Sequence, residues 1–157
     1  MRDHGRVPSS APRTPLAALL GRVQGRYVAE FESRLAAAGY DDLSLAHGAN
    51  VLRHLGADEG VRLSALVERA GVSKQAVSQQ VSHLVCRGYV VSEPDPADQR
   101  AKTLRLTPRG EASQRAAREA FTVLERQWRE RYGDERYAQL REVLQEILEE
   151  DPPAPSC

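Results

Sequence analysis

Apolar residues recur at steps of three and four along most of the chain, and the breaks in that pattern mark its joints. Pro15 suits a first helical turn, and Leu16, Leu19, Leu20, Val23, Tyr27, Phe31 and Leu35 then share one face of a helix closed by Gly39. The same period predicts a second helix from about Leu43 to Leu55, with Leu45, Ala49, Leu52 and Leu55 inward and Gly56 as its stop. A third covers about Leu63 to Ala70, and a fourth runs from Ser73 to about Arg87, ended by Gly88. The period then shortens. Tyr89 to Ser92 and Thr103 to Leu106 are β-prone runs, and the ten residues between them, Glu93 to Lys102, hold Pro94 and Pro96. That pattern predicts a hairpin with a long polar tip. From Pro108 a long helix carries Ala112, Ala116, Ala120, Phe121, Leu124, Trp128 and Tyr132 as far as Gly133, and a last helix carries Tyr137, Leu140, Val143, Leu144, Ile147 and Leu148. The expected order is α-α-α-α-β-β-α-α, a mainly α chain. Residues 1–14 and 151–157 have no such period and are rich in Pro, so an arm and a tail are expected there.

The link Ala70-Gly71-Val72 is too short for anything but a tight turn, so residues 62–88 have the form of a helix-turn-helix. Gly71 suits the sharp bend and Ser73 is a good N-cap for the second of the two helices. On that helix Val77, Val81, Leu84 and Val85 predict one buried stripe. The other face offers Lys74, Gln75, Ala76, Ser78, Gln79 and Ser82, and no carboxylate occurs from Ser73 to Val85. A solvated face usually mixes signs. A face laid into a major groove must instead avoid anions: Gln pairs with adenine, Lys reaches guanine or phosphate, and Ala76 can touch a thymine methyl. Beside it, the hairpin tip is expected to present Arg100 and Lys102 to the narrow minor groove, with Asp98 as the internal partner that holds Arg100 in position.

Composition narrows the choice of function. The chain has 157 residues, 41% hydrophobic and 28% charged, enough for one globular core without a disulfide or metal staple. No apolar run reaches the roughly 18 residues of a membrane span, and the first fourteen residues hold Arg2, Arg6 and Arg13 without an apolar stretch. A cytoplasmic location without a secretory leader is expected. The net charge is zero, yet eight basic and four acidic residues fall between 62 and 109, against seven and eleven from 110 onward. Only the middle of the chain is therefore suited to a polyanion. A phosphate-cradling glycine loop, H-E-x-x-H and G-x-S-x-G are all missing, so no enzyme is predicted. His83 and Cys86, three apart on one helix, are too few ligands for a metal, and no metal or cofactor is expected. Cys86 is read as a small core thiol.

Residues 62–110 resemble the MarR (multiple antibiotic resistance regulator) family of winged helix-turn-helix proteins. The text that carries the likeness is Arg62-Leu63-Ser64-Ala65-Leu66, Gly71-Val72-Ser73-Lys74-Gln75-Ala76-Val77-Ser78, Arg87-Gly88-Tyr89-Val90, and then Asp98-Gln99-Arg100 with Leu104-Arg105-Leu106-Thr107 and Gly110. The resemblance implies a winged helix-turn-helix over 41–110, between a dimerisation helix at 15–40 and dimerisation helices at 111–150. It also implies a homodimer on a pseudo-palindromic duplex, and a repressor released by a small aromatic or phenolic effector. Leu16, Leu20, Phe121, Leu124, Trp128, Leu140, Leu144, Ile147 and Leu148 are the expected dimer contacts, since they supply more apolar surface than the terminal helices need for themselves. Tyr27, Phe31, Tyr40, His47 and Arg53 are the candidate effector cleft. The competing reading is a winged helix that binds protein and has lost DNA.

Overall fold

The computed structural model describes residues 14–149; the expected arm (except Thr14), the tail and Cys157 lie outside them. Helix α1 (Leu16–Ala37) leads into α2 (Leu45–Asn50), and a 3₁₀ turn follows at Leu52–His54. A two-residue strand β1 (Val61–Arg62) precedes the pair α3 (Leu63–Ala70) and α4 (Lys74–Cys86). Strands β2 (Val90–Asp95) and β3 (Asp98–Leu106) form the hairpin, and α5 (Pro108–Tyr132) and α6 (Asp134–Glu149) close the chain. The mainly α, winged order therefore stands, with one added strand.

The second helix is shorter than its period predicts. Ser44 caps it, but Gly48 and Asn50 are poor helix formers, and at Val51 the backbone leaves the helical region (φ −127°, ψ −67°). Leu52 and Leu55 still reach the core, from a 3₁₀ turn rather than a helix. The last helix starts directly after Gly133. Asp134 and Glu135 occupy its first turn, where acidic side chains favour the helix dipole.

The hairpin departs most from expectation. Its ten-residue loop is instead mostly strand, because β2 and β3 pair antiparallel down to a turn at Pro96-Ala97, with an irregularity at Pro94/Asp95. Pro94 sits opposite Lys102, and the sheet order β1-β3-β2 puts it on an edge strand, where a missing N–H costs no ladder bond. Strand β1 pairs with β3 through Val61 opposite Leu104 and Arg62 opposite Thr103. Two residues carry no readable period, so this strand was invisible in the sequence.

One core runs through these elements. Phe31 and Leu35 of α1, Leu66 of α3, Val77, Val81 and Leu84 of α4, Tyr89 and Val90 before and on β2, Leu104 and Leu106 of β3, and Ala120 and Leu124 of α5 are all buried in it. Phe31 stacks on Phe121 with centroids 4.3 Å apart, and Tyr27 meets Trp128 edge-on at 5.3 Å, joining α1 to α5. Among the described residues no helix is long and apolar enough to cross a membrane.

Candidate nucleic-acid interface

Gly71 turns α3 into α4. Its backbone is left-handed (φ 65°), a conformation that costs glycine nothing and other residues strain. Ser73 then caps α4, its hydroxyl accepting the Ala76 N–H at 3.2 Å. The buried stripe is Val77, Val81 and Leu84. Val85 was expected in it and is instead exposed, because eight residues on from Val77 it has rotated about 80° away. Cys86, nine residues on, stands about half a turn from Val77, so it is an exposed thiol and not a core one.

Ser73, Lys74, Gln75, Gln79 and Ser82 are exposed on α4, while Ala76 and Ser78 are half-buried. The Ser82 hydroxyl donates to the Ser78 carbonyl at 2.9 Å, so only its lone pairs are left for a ligand. Arg100 and Lys102 are exposed on β3 rather than on a loop, and Asp98 opens that strand beside the turn. Asp98 holds Arg100 differently from expectation. Its carboxylate accepts the Arg100 backbone N–H at 3.0 Å, which shapes the turn and leaves the guanidinium out of any ion pair with it. Among the described residues no carboxylate pairs with Lys74, Arg100 or Lys102, so all three cations face outward uncompensated.

Two supports of this surface were not found from the sequence. Asp95, buried at the end of β2, accepts from Arg62 Nε at 2.5 Å and from the Ala97 N–H at 2.8 Å. The Ala97 amide first, then the Arg62 guanidinium, hold its carboxyl below the usual carboxylate range. Arg62 immediately precedes α3, so this pair ties the wing tip to the start of the helix-turn-helix. Asp42, just before α2, gathers the other end. It accepts from the Tyr89 hydroxyl, with Arg87 Nε 3.7 Å and Arg109 Nη2 4.0 Å from its carboxylate. Burial works against the charge of Asp42; the Tyr89 bond, a backbone bond, Arg109 and Arg87 outweigh it and hold the pKa low. The Arg109 guanidinium also lies 4.5 Å over the Tyr89 ring. An Asp-Pro turn hints at Asp95, but partners dozens of residues away leave no local signal.

A cavity of about 450 Å³ lies between α1, α2 and α5. Phe31, Leu45, Leu52 and Phe121 give it an apolar lining, and Arg53 and Arg118 bring positive charge to it. Of the five candidate cleft residues Phe31 and Arg53 line it. Tyr27, Tyr40 and His47 do not: Tyr27 packs on Trp128, Tyr40 on Tyr89, and His47 on His83.

The expected dimer contacts divide in two. Leu124 is fully buried within the chain, and Phe121 and Trp128 are half-buried against α1, so these three serve the chain's own core. Leu16 and Leu20 of α1, with Leu140, Leu144, Ile147 and Leu148 of α6, stand exposed. Helix α6 has no buried residue, although its apolar side chains fall on one face.

Comparison with known proteins matches this geometry. Residues 42–101 match the sequence model of the MarR family. No curated protein matches the chain by sequence. Among solved structures, the chain is similar to wild-type apo MarR from E. coli at 20% identity, covering 86% of this chain and 98% of that one with a TM-score of 0.63. The PcaV transcriptional regulator from Streptomyces coelicolor matches at 21% identity, over 86% of this chain and 96% of PcaV, with a TM-score of 0.73. PcaV is also known in complex with its natural ligand. The transcriptional repressor CouR bound to a 23-mer DNA duplex matches at 25% identity, over 85% of this chain and 92% of CouR, with a TM-score of 0.69. The helix-turn-helix and most of the wing thus match the MarR family model, and the chain as a whole is similar in fold to these winged-helix regulators through both helical ends.

Proposed function

We propose that the chain is a homodimeric, sequence-specific regulator of transcription that binds double-stranded DNA. The observation that carries this reading is the outward face of α4, free of carboxylates from Ser73 to Val85, beside a wing whose Arg100 and Lys102 have no acidic partner among the described residues. Lys74, Gln75, Ala76, Ser78, Gln79 and Ser82 read the major groove, and Arg100 and Lys102 follow the backbone into the minor groove. CouR, a structural neighbour bound to a DNA duplex, supports the same use of the fold.

The exposed apolar faces of α1 and α6 support a second copy. Leu16, Leu20, Leu140 and Leu144 belong under an isologous interface, since side chains of this size in one exposed patch mark a contact surface. Two copies would set their recognition helices about 34 Å apart, one turn of duplex. The cavity takes a small aromatic acid, with ring atoms on Phe31 and Phe121 and the carboxylate toward Arg53 or Arg118. Binding there shifts the two winged parts away from the spacing that fits DNA, and the regulator acts as a repressor that its ligand releases.

Selection of bound sequences from a random duplex pool tests the proposal. A palindrome with half-sites one turn apart is the expected product. Arg100→Ala then weakens binding to every duplex and lowers the salt slope by about one, while Gln75→Ala or Gln79→Ala alters base preference. Protein that ignores all duplexes at low ionic strength refutes the reading.

A further inference from the structure

Away from the DNA-facing surface, two imidazoles lie face to face between α2 and α4. His47 and His83 stack with centroids 4.7 Å apart and planes 6° from parallel. Each ring is anchored by its own bond. The Ser44 N–H donates to His47 Nδ1 at 3.0 Å, and the His47 N–H donates to the Ser44 hydroxyl oxygen at 3.4 Å, so this ring is half of the box that starts α2. His83 Nε2 donates to the Asp42 carbonyl oxygen at 2.9 Å. The acceptor role of His47 Nδ1 needs a free lone pair, which only the neutral ring protonated at Nε2 provides.

Position gives the stack its meaning. Helix α2 is six residues long, and Leu45, Gly48 and Ala49 on it line the cavity. His83 stands on the helix that reads DNA, one residue before the buried Leu84. The stacked rings are thus a direct bridge from the cavity wall to the recognition helix.

We propose that the His47–His83 stack is a proton-sensitive clasp that seats the recognition helix against the cavity wall, closed while the His47 ring is neutral and opened by a proton on it. A proton on Nδ1 ends the bond from the Ser44 N–H and redirects that nitrogen to the Ser44 hydroxyl oxygen 3.1 Å away, so the reciprocal box that starts α2 is lost and a cation is set against the His83 ring. The surrounding charges are few. Glu32 of α1 accepts from the Leu45 N–H at 3.0 Å, and Asp42 precedes α2; both favour the cation. Arg87 and Arg109 lie on Asp42 and blunt its pull. Burial first, then His83, outweigh the two acids and hold the His47 pKa below the ordinary 6.5. Because the closed form takes up the proton less readily than the open one, the clasp keeps its full strength above about pH 6.5 and loses it as pH falls below that through the lowered value.

This inference rests on the DNA-binding reading, and its test separates the two. Affinity for a selected duplex is measured by fluorescence anisotropy from pH 8 to pH 5.5 at constant ionic strength. The comparison is with His47→Asn, whose amide oxygen can take the place of Nδ1 without titrating, and with His83→Gln. The wild type is expected to lose about fivefold or more in affinity on acidification beyond any loss in His47→Asn. Equal losses in the two proteins overturn the clasp. Should no duplex bind at any pH, the regulator reading fails and imidazole NMR titration judges the clasp alone. A His47 midpoint below that of free histidine, with loss of the Ser44 amide's protection as it titrates, supports it; a midpoint at or above free histidine overturns it.

Discussion

One methyl group at position 110 tests how the wing is joined to the long helix. Gly110 lies in the first turn of α5, where the Thr107 hydroxyl oxygen accepts its N–H at 3.1 Å and donates in turn to the Gly88 carbonyl at 2.6 Å. The Thr107 N–H donates to the Tyr89 carbonyl at 3.0 Å, closing the end of the hairpin onto α5. A Cβ built on Gly110 would stand 2.2 Å from that Tyr89 oxygen and 3.0 Å from Leu106 Cδ2. Carbon and carbonyl oxygen approach no closer than about 3.3 Å, so backbone must retreat by about an ångström. Overpacking of this kind costs about 1–3 kcal/mol, and weakening the Thr107–Tyr89 bond adds about 1 kcal/mol. Alanine returns up to about 1 kcal/mol of helix propensity. The net loss in Gly110→Ala is about 1–4 kcal/mol, a fall in Tm of roughly 2–16 °C for a chain of this size. Far-UV circular dichroism during heating reads it, at one fixed protein concentration so that association does not enter. Gly48→Ala in α2 is the control: nothing lies within 4 Å of its Cβ, and the helix gains up to about 1 kcal/mol. If Gly110→Ala melts at or above the wild type while the control behaves, the close-approach reasoning is refuted.

Three further outcomes are expected. Asp95→Asn removes the charge that ties Arg62 to the wing tip, so hydroxyl-radical footprinting should show blurred minor-groove protection while dimethyl sulfate protection of major-groove guanines stays intact; because the folded pKa is lowered, the tie in the wild type persists at neutral pH and is lost only as pH falls through that lowered value. Leu20→Glu combined with Leu144→Glu places charge on the two exposed apolar faces, and sedimentation should show half the wild-type mass with unchanged helix content. Leu124→Ala empties a fully buried site on α5 and should cost about 2–5 kcal/mol in urea unfolding, with no selective effect on subunit association.

What the sequence showed was what lies within one element. The α4 surface follows from Ser73, Gly71 and a stripe of valines, and each of these acts over a turn or two of chain. What it hid depends on neighbours far along the chain. Pro94 looks like a loop residue until the sheet order makes β2 an edge. Phe121 and Trp128 look like spare apolar surface until Phe31 and Tyr27 cover them from α1. Proximity in sequence suggests that Asp98 holds the Arg100 side chain, whereas it takes the Arg100 backbone N–H; the ion pair at the wing tip belongs to Asp95, whose partner, Arg62, is thirty-three residues away. Cys86 shows the finer limit. A shift of two positions along a helix turns a residue from the core to the surface, and period alone fixes a boundary no better than that.

The aromatic contacts between α1 and α5 give the molecule an optical gauge. Trp128 is the sole tryptophan, set edge-on to Tyr27 and Tyr132, with its indole N–H donating to Glu30 at 3.1 Å. It lies on the same pair of helices whose Phe31 and Phe121 wall the cavity. Any spreading of those helices would strip the indole of its neighbours and its acceptor together, so intrinsic emission reports the motion without an added dye.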